Sequence, residues 1–284
     1  MTRLSFSARI NASPEKVWQA LWDQVYYETW TSAFTENSTV QTDNWREGSR
    51  VMFGDGTGNG MISRVEAHRP GAFMSFMHLG MIVDGVEKMQ DETEGGWAGA
   101  IENYTLTENE GACNLLVETD MLDEFVSHME STWPRALEIL KGLAEGHRKP
   151  VITIHARVEA GPDLAWECWT RPEHVMQWNH ASDDWHCPAA SNDLRAGGNF
   201  SYTMAARDGS FSFDFGGKFE EVREKEYIHA TLGDGRMWKT WFRTENGFVK
   251  VTEKFEAEQI NSLDLQQGGW QAILNNYKKY TENQ

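Results

Sequence analysis

The sequence predicts an α+β protein made of two tandem copies of one domain, each with a curved antiparallel sheet, two short helices and a long closing helix. Three observations lead to this prediction. The chain has 284 residues, which is too long for one ordinary core. Its two halves carry matching motifs, and each half shows strand and helix periodicities in the same order. We place the copies at residues 1–147 and 148–284.

The repeat is visible as pairs of similar motifs separated by a nearly constant number of residues. The matched pairs are residues 12–18 with 160–166 and Trp30 with Trp178 at an offset of 148, residues 46–49 with 195–198 at 149, Val65 with Val222 at 157, and Trp133 with Trp270 at 137. Insertions are tolerated in turns, so we expect a longer first hairpin in the second copy and a longer mid-chain loop in the first.

Each copy shows the same elements in the same order. An alternating strand, at residues 4–10 or 151–158, ends where Ser-Pro or Gly-Pro begins a helix, and two short helices follow. Asp-Gly and Asn-Gly pairs then separate alternating runs, which predicts hairpins and an antiparallel sheet. An amphipathic helix closes each copy, at 124–145 and 263–280. Since one helix cannot fill a curled sheet, we expect a cavity between the helix and the concave face.

The composition indicates a folded protein with an acidic surface. Hydrophobic residues make up 40% of the chain, charged residues 24%, and the net charge is −17. Binding to nucleic acid requires a basic surface, so we expect no nucleic-acid partner. Residues 1–147 carry a net charge of −13 and residues 148–284 carry −4. Such acidity, including the run Asp91–Glu94, is typical of solvated surface and could also steer a basic protein partner.

The sequence also predicts where the chain resides. No apolar stretch approaches the roughly 20 residues that a transmembrane helix needs. The N-terminus turns polar again by Arg9, too early for the apolar region of a signal peptide, and we therefore expect a cytoplasmic protein without a membrane span. The three cysteines, Cys113, Cys168 and Cys187, lack paired close spacing and predict neither a disulfide framework nor a structural zinc site.

One motif of the second copy is specific enough to suggest a family. The run Asp193-Leu194-Arg195-Ala196-Gly197-Gly198-Asn199-Phe200, followed by Gly217-Lys218-Phe219-Glu220-Glu221-Val222, resembles the START-like (SRPBCC) superfamily, in the branch related to the activator of the heat-shock protein 90 ATPase. The first copy has a variant of the motif with Asn44 in place of Asp and Ser49 in place of Gly. The resemblance implies a helix-grip fold, with a seven-stranded antiparallel sheet grasping the C-terminal helix. Members include lipid and hormone binders, polyketide cyclases and co-chaperone modules, so the fold does not choose the function.

Two carboxylates on otherwise apolar strand faces are the most informative side chains. Strand parity places Glu253 inside the second copy, and it places Glu102 on a face shared with Tyr104 in the first. An unpaired buried carboxylate costs several kcal/mol or raises its own pKa. Each could bind the polar end of a ligand or act as a general acid or base, and the alternative is a structural pair or a wet face. Glu102 aligns with Trp238, and Glu253 with Val117, so the copies are not duplicate sites.

The other pocket candidates are mostly large aromatic residues, since the chain contains 13 Trp and 14 Phe. With the two carboxylates, the predicted pocket residues are Trp30, Phe53, Phe76, Glu102, Tyr104, Trp178, Phe200, Tyr202, Trp238, Thr240, Phe242 and Glu253. Residues 178–187 gather two His, two Asp and one Cys, but their spacing fits no metal-ligand pattern, and we expect neither a metal nor a cofactor. Asp193 and Arg195 are interpreted as a structural pair.

Three hypotheses for the function follow from these features. The leading one is the binding of small hydrophobic or amphipathic molecules in one or both cavities, without covalent chemistry. The second is a chaperone-associated or stress-related module that recognises another protein through an exposed surface. The third is an enzyme, a cyclase or hydratase that uses a buried carboxylate as general base. No paired base and nucleophile is visible in the sequence, so we assign no catalytic residue.

Overall fold

The structure is a computed structural model that describes residues 1–89 and 96–284, which leaves the acidic run Asp91–Glu94 outside the described residues. The chain divides into two compact units, Met1–Pro150 and Val151–Gln284. Each unit is an antiparallel sheet with two short helices and a long closing helix, which confirms the predicted α+β class and the tandem arrangement. In the described part of the chain, no helix is both long enough and apolar enough to cross a membrane.

The first unit contains eight strands and three α-helices among its described residues. In chain order they are β1 (Thr2–Ile10), α1 (Pro14–Trp22), α2 (Gln24–Trp30), β2 (Thr39–Thr42), β3 (Arg50–Gly54), β4 (Gly60–Arg69), β5 (Phe73–Val83), β6 (Val86–Met89), β7 (Ile101–Asn109), β8 (Ala112–Met121) and α3 (Val126–Ala144). The sheet order is β1-β8-β7-β5-β4-β3-β2, and β6 folds back on β5. This extra strand is part of the longer mid-chain insertion predicted for the first copy, and it makes the sheet one strand larger than expected.

The second unit has the seven strands that were predicted. Its elements are β9 (Val151–Val158), α4 (Pro162–Thr170), α5 (Pro172–Trp178), β10 (Trp185–Asn192), β11 (Asn199–Ala206), β12 (Ser212–Arg223), β13 (Tyr227–Leu232), β14 (Met237–Glu245), β15 (Phe248–Glu256) and α6 (Leu263–Thr281). The sheet order is β10-β11-β12-β13-β14-β15-β9. Both sheets therefore place the first strand of their unit beside the last one.

The closing helix of each unit packs an equivalent tryptophan against the sheet. Trp133 of α3 stacks on Phe6 of β1, with ring centroids 5.5 Å apart. Trp270 of α6 stacks on Phe255 of β15 at 3.9 Å. Farther along α6, the hydroxyl of Tyr277 donates to the carbonyl oxygen of Ala165 in α4 at 2.7 Å. The helix is thus held by the sheet on one side and by a short helix on the other, as the helix-grip fold requires.

The strand register corrects one equivalence between the copies. The amide of Gly48 donates to the carbonyl of Val65, and the amide of Gly197 donates to that of Phe219. Val65 therefore corresponds to Phe219, and the match of Val65 to Val222 was wrong. Both strands carry an irregularity in pairing directly after this position, which a constant spacing in the sequence does not reveal. The first hairpin of the second copy is accordingly longer by less than the sequence comparison indicated.

Candidate ligand-binding interiors

The inward parity predicted for β14 and β15 is confirmed by the burial of their side chains. Thr240 is paired across the strands with Glu253, and Trp238 with Phe255. All four of these side chains are buried, together with Phe242, Val249 and Val251. Lys239 and Arg243 alternate with them on the outward face. The sheet thus presents a carboxyl and a hydroxyl group to an apolar interior.

Glu253 lies in this interior, where one of its oxygens accepts a hydrogen bond from an indole. The residue is 3% exposed, and its Oε2 accepts a hydrogen bond of 2.7 Å from Nε1 of Trp238. Burial raises the pKa of Glu253 to about 8, although the hydrogen bond from Trp238 opposes the shift. The carboxyl group is therefore mostly protonated at neutral pH, which lets it donate as well as accept a hydrogen bond.

Thr240 supplies a second polar group that the fold leaves without a partner. Its side chain is fully buried, and within the described residues its Oγ1 meets no hydrogen-bond partner. Buried hydroxyl groups are normally paired, because leaving one unpaired costs about 1–3 kcal/mol. Thr240 is paired directly with Glu253 across the two strands, so the unpaired hydroxyl and the protonated acid lie side by side on the sheet.

Aromatic rings from the sheet, the short helix α4 and the closing helix α6 surround Glu253 and Thr240. Trp238 has ring contacts with Phe200 at 5.4 Å, Phe215 at 6.2 Å, Trp270 at 6.3 Å and Trp169 at 6.4 Å. Of these, Trp169, Phe215 and Trp270 were not among the predicted pocket residues. Phe215 and Trp270 are half-buried and 5.6 Å apart, so they join β12 to α6 where the interior approaches the surface.

The predicted residues Trp178 and Tyr202 extend the aromatic cluster away from Glu253. Trp178 lies 5.2 Å from Trp169, and its Nε1 donates to the carbonyl oxygen of Cys168 at 2.8 Å. Tyr202 contacts Phe200 at 5.2 Å. These two residues are buried and belong to the surrounding wall, each separated from Trp238 by one intervening ring, Trp169 or Phe200.

In the first unit the corresponding polar centre is Glu102 on β7. Its Oε1 accepts a hydrogen bond of 2.6 Å from the hydroxyl of Tyr104, and its Oε2 accepts one of 3.4 Å from Thr119. Burial raises the pKa of Glu102, and the two hydroxyl groups partly oppose the shift. Tyr27 of α2 lies near enough that the carboxylate, after burial, raises the pKa of its phenol. The acid therefore sits among hydroxyl groups from a helix and two strands.

The rings around Glu102 include three predicted residues and several others. Phe76 is paired with Glu102 across the strands, and Trp22 contacts Tyr104 at 4.9 Å and Phe76 at 5.4 Å. The remaining rings are Tyr27, 5.6 Å from Phe53, and Trp45, 5.2 Å from Trp22. Trp30 is fully buried and joins this cluster through Tyr27, with ring centroids 5.4 Å apart. Helical spacing in α1 and α2 was the available signal for Trp22 and Tyr27, but it does not say which side chain approaches Glu102.

The two carboxylates occupy neighbouring strands of the repeated sheet. Glu102 pairs with Thr119 as Trp238 pairs with Phe255, and Tyr104 pairs with Val117 as Thr240 pairs with Glu253. This register confirms that Glu102 aligns with Trp238 and Glu253 with Val117. The interiors therefore share a backbone but differ in where the acid stands and in which groups donate to it.

A buried histidine of the first unit was not predicted from the sequence. His78 of β5 is fully buried, and its Nδ1 lies 2.8 Å from Oγ of Ser63 on β4. Burial lowers the pKa of His78 to about 4, with Asp120 opposing the shift, so the ring is neutral at pH 7. A single histidine in an apolar strand gives no signal in the sequence that separates this arrangement from an exposed side chain.

The motif that carries the resemblance has a structural role. Arg195 and Asp193 form an ion pair of 2.8 Å on the surface, as predicted. Gly197 adopts a positive φ of 82°, and Gly48 has the same conformation in the first unit at 83°. In the first unit the hydroxyl of Ser49 donates to Oδ1 of Asn44 at 2.7 Å, so the two residues that depart from the motif are bonded to each other. Across residues 1–89 and 96–284, no group of three His, Cys, Asp or Glu side chains is placed to hold a metal ion.

Comparisons with known proteins identify a family model and several similar solved structures. A family model described as "Activator of Hsp90 ATPase homolog 1-like protein" matches residues 159–282. An AHSA1-like protein from Aeromonas hydrophila is 40% identical, with 47% of this chain and 92% of that chain covered and a TM-score of 0.45. A protein from Cytophaga hutchinsonii is 48% identical, with 46% and 92% covered and a TM-score of 0.42. The Aha1 dimer from Colwellia psychrerythraea is 21% identical, with 51% and 97% covered and a TM-score of 0.40. No curated protein gives a significant match.

Proposed function

Because the chain belongs to the activator of Hsp90 ATPase homolog 1-like family, whose fold is compatible with both ligand binding and chaperone association, we propose that it binds small hydrophobic or amphipathic molecules inside its units. In the second unit the apolar part of the ligand lies against Trp238 and the rings around it. The polar end lies at Glu253 and Thr240. Burial of the apolar part supplies the affinity, and the two polar groups orient the ligand.

The observation that carries this proposal is a buried hydroxyl group, beside a buried carboxyl group on the sheet, that has no hydrogen-bond partner in the described part of the chain. A protein core of purely structural purpose pairs its buried hydroxyl and carboxyl groups with each other or replaces them by apolar residues. Here Thr240 lacks a partner among the described residues although it faces Glu253, and Glu253 uses one oxygen for Trp238. A ligand carrying a hydroxyl or carboxyl group completes this set of hydrogen bonds.

The binding of decanol and 2-naphthol to the purified full-length chain tests the proposal. Tryptophan fluorescence is expected to change saturably with either probe, because Trp238, Trp169 and Trp270 line the site. Native mass spectrometry of the freshly purified chain is expected to show a bound small molecule. A chain that carries no ligand and gives no saturable response to either probe would contradict ligand binding.

Thr240→Val is expected to weaken decanol binding at least threefold while leaving the fold intact. The change removes a buried hydroxyl that has no partner in the described part of the chain, so the free energy of unfolding should stay the same or rise by about 1 kcal/mol. Urea unfolding and fluorescence titration measure the two effects. Thr244→Val, at an exposed position of the same strand, serves as the matched control. A clear loss of stability in Thr240→Val would show that the hydroxyl has a structural role instead.

A second candidate function is recognition of a chaperone, and it is favoured by an exposed aromatic patch. Phe211 is 60% exposed and Phe213 46%, and both lie about 6 Å from Trp185 at the start of edge strand β10. Exposed aromatic clusters are typical of protein-binding surfaces. The family description names an activator of Hsp90, which makes that chaperone the partner to test.

Replacing Phe211 and Phe213 together by serine is expected to reduce the affinity for purified Hsp90 at least tenfold in surface plasmon resonance, because the aromatic contact area is lost. The control is Val86→Ser, which changes a residue that is 60% exposed in the first unit. Equal affinities of both variants and the wild type would exclude the patch as the chaperone-binding surface. Decanol binding should be unchanged in either variant.

A further inference from the structure

The interior of the first unit contains a carboxylate with no basic partner. Glu102 accepts hydrogen bonds from Tyr104 and Thr119, and within residues 1–89 and 96–284 no Lys or Arg lies within ion-pair distance of it. The residues outside this range, 90–95, include no Lys or Arg either. His78 lies on the adjacent strand β5, and its ring is neutral at pH 7. The positive charge that would match Glu102 is therefore not supplied by the protein.

Glu102 keeps accessible surface although rings enclose it. The residue is half-buried, whereas its neighbours Phe76, Tyr104 and Thr119 on the same face are buried. Tyr27 reaches the same place from α2, close enough for the Glu102 carboxylate, after burial, to raise the pKa of its phenol. Glu102 therefore retains some accessible surface on a face whose neighbouring side chains are buried.

Four aromatic rings lie around Glu102, and the faces of aromatic rings attract cations. Trp22, Tyr27, Phe76 and Tyr104 form a continuous set of ring contacts, from 4.9 Å between Trp22 and Tyr104 to 6.5 Å between Trp22 and Tyr27. The electron-rich face of each ring attracts a cation, and the attraction is strongest when the cation has lost its water. The net charge of residues 1–147, which is −13, raises the local concentration of cations further.

The indole nitrogen of Trp22 is a further polar group of this cluster. Nε1 of Trp22 is buried and has no acceptor among the described residues. The Trp22 ring lies against Tyr104, whose hydroxyl is already used by Glu102. A ligand that carries an oxygen atom near a positive charge could accept a hydrogen bond from this donor.

We propose that the first unit binds a small organic cation, an amine or a quaternary ammonium that also carries an oxygen, with its charge against Glu102 and the surrounding rings. The proposal rests on the proposed function, since the interior must admit a ligand. It adds that the two units bind chemically different ligands. The second unit offers one indole donor and an unpaired threonine hydroxyl to its acid, and the first offers a carboxylate held by two hydroxyl donors. The two hydroxyl donors partly oppose the rise in pKa that burial causes at Glu102, and a cation bound beside the carboxyl group would favour its ionised form further.

Isothermal titration of the full chain with three probes tests the proposal. Choline carries the quaternary charge and an oxygen, 3,3-dimethylbutan-1-ol has the same shape without charge, and ethanolamine is the primary amine. Choline or ethanolamine is expected to bind at least tenfold more tightly than the neutral alcohol, and the tighter of the two identifies the kind of cation. Glu102→Gln should remove the preference, and the matched change Glu253→Gln should preserve it.

Two results would overturn the proposal. One is equal affinity for choline and its neutral isostere, with no change of either affinity in Glu102→Gln. That result would leave the proposed ligand binding in place. The other is no cation binding while decanol still binds, which would separate this proposal from the proposed function. If Glu102→Gln does not fold, Trp45→Leu provides the second variant, because Trp45 is half-buried and lies 5.2 Å from Trp22. A severalfold loss of choline affinity is expected there, and unchanged affinity would count against the aromatic enclosure.

Discussion

Glu253→Gln is expected to abolish most of the loss of stability that the second unit undergoes as the pH rises from 5 to 8. In the unfolded chain this acid ionises near its ordinary value of 4.5, and in the folded unit its pKa is about 8. Between these values the folded state binds a proton that the unfolded state has released, so stability falls as the pH rises. The full difference corresponds to about 5 kcal/mol, complete above pH 8 and absent below pH 4.5.

Glutamine cannot ionise, and its amide oxygen can still accept the hydrogen bond from Trp238. The variant should therefore be more stable than the wild type at pH 9 and similar to it at pH 5. Urea unfolding of both proteins at these two pH values, followed by tryptophan fluorescence, measures the effect. The control is Glu245→Gln, at an exposed position of β14, which should leave the pH dependence unchanged. Parallel pH profiles for the wild type and Glu253→Gln would show that the acid is ionised inside the fold.

Gly198→Ala is expected to destabilise the second unit by about 3 kcal/mol or more, because it forces the backbone apart. A methyl group at this position would overlap the carbonyl oxygen of Asp193, which is main chain and cannot move aside. Gly198 lies in the bend between Asp193 and β11, where the amide of Phe219 donates to its carbonyl oxygen. The substitution therefore disturbs the pairing of β12 as well as the turn.

Gly197→Ala is the matched control for this prediction. That glycine has a φ of 82°, but a methyl group added there would meet no atom within 4 Å, so only the left-handed backbone is penalised. The expected cost is about 1–2 kcal/mol. Thermal unfolding by circular dichroism compares the two variants. An equal loss in both would mean that the close approach to Asp193 costs no more than a left-handed backbone does, which would contradict the prediction.

The strands and helices could be predicted because their signals are local. Alternation along 237–255 was sufficient to place Glu253 inside, and turn pairs such as Asp234-Gly235 mark the hairpins. The enclosure of each acid could not be predicted in the same way. Trp169 and Trp270 reach Trp238 from α4 and α6, and their contacts depend on how the helices cross the sheet. An irregularity of pairing, as at Val65, shifts the register by a residue without changing the periodicity.

Glu102 and Glu253 lie on non-equivalent strands of the two units, which shows that this fold can hold a buried acid at more than one position of its inner face. A duplicated domain can therefore move its anchor to an adjacent strand while the backbone stays as it was. Under the binding proposals, each unit can then have its own ligand specificity. Under the two binding proposals, a saturated chain holds two chemically different molecules, and an assay with a single compound reports a stoichiometry of one.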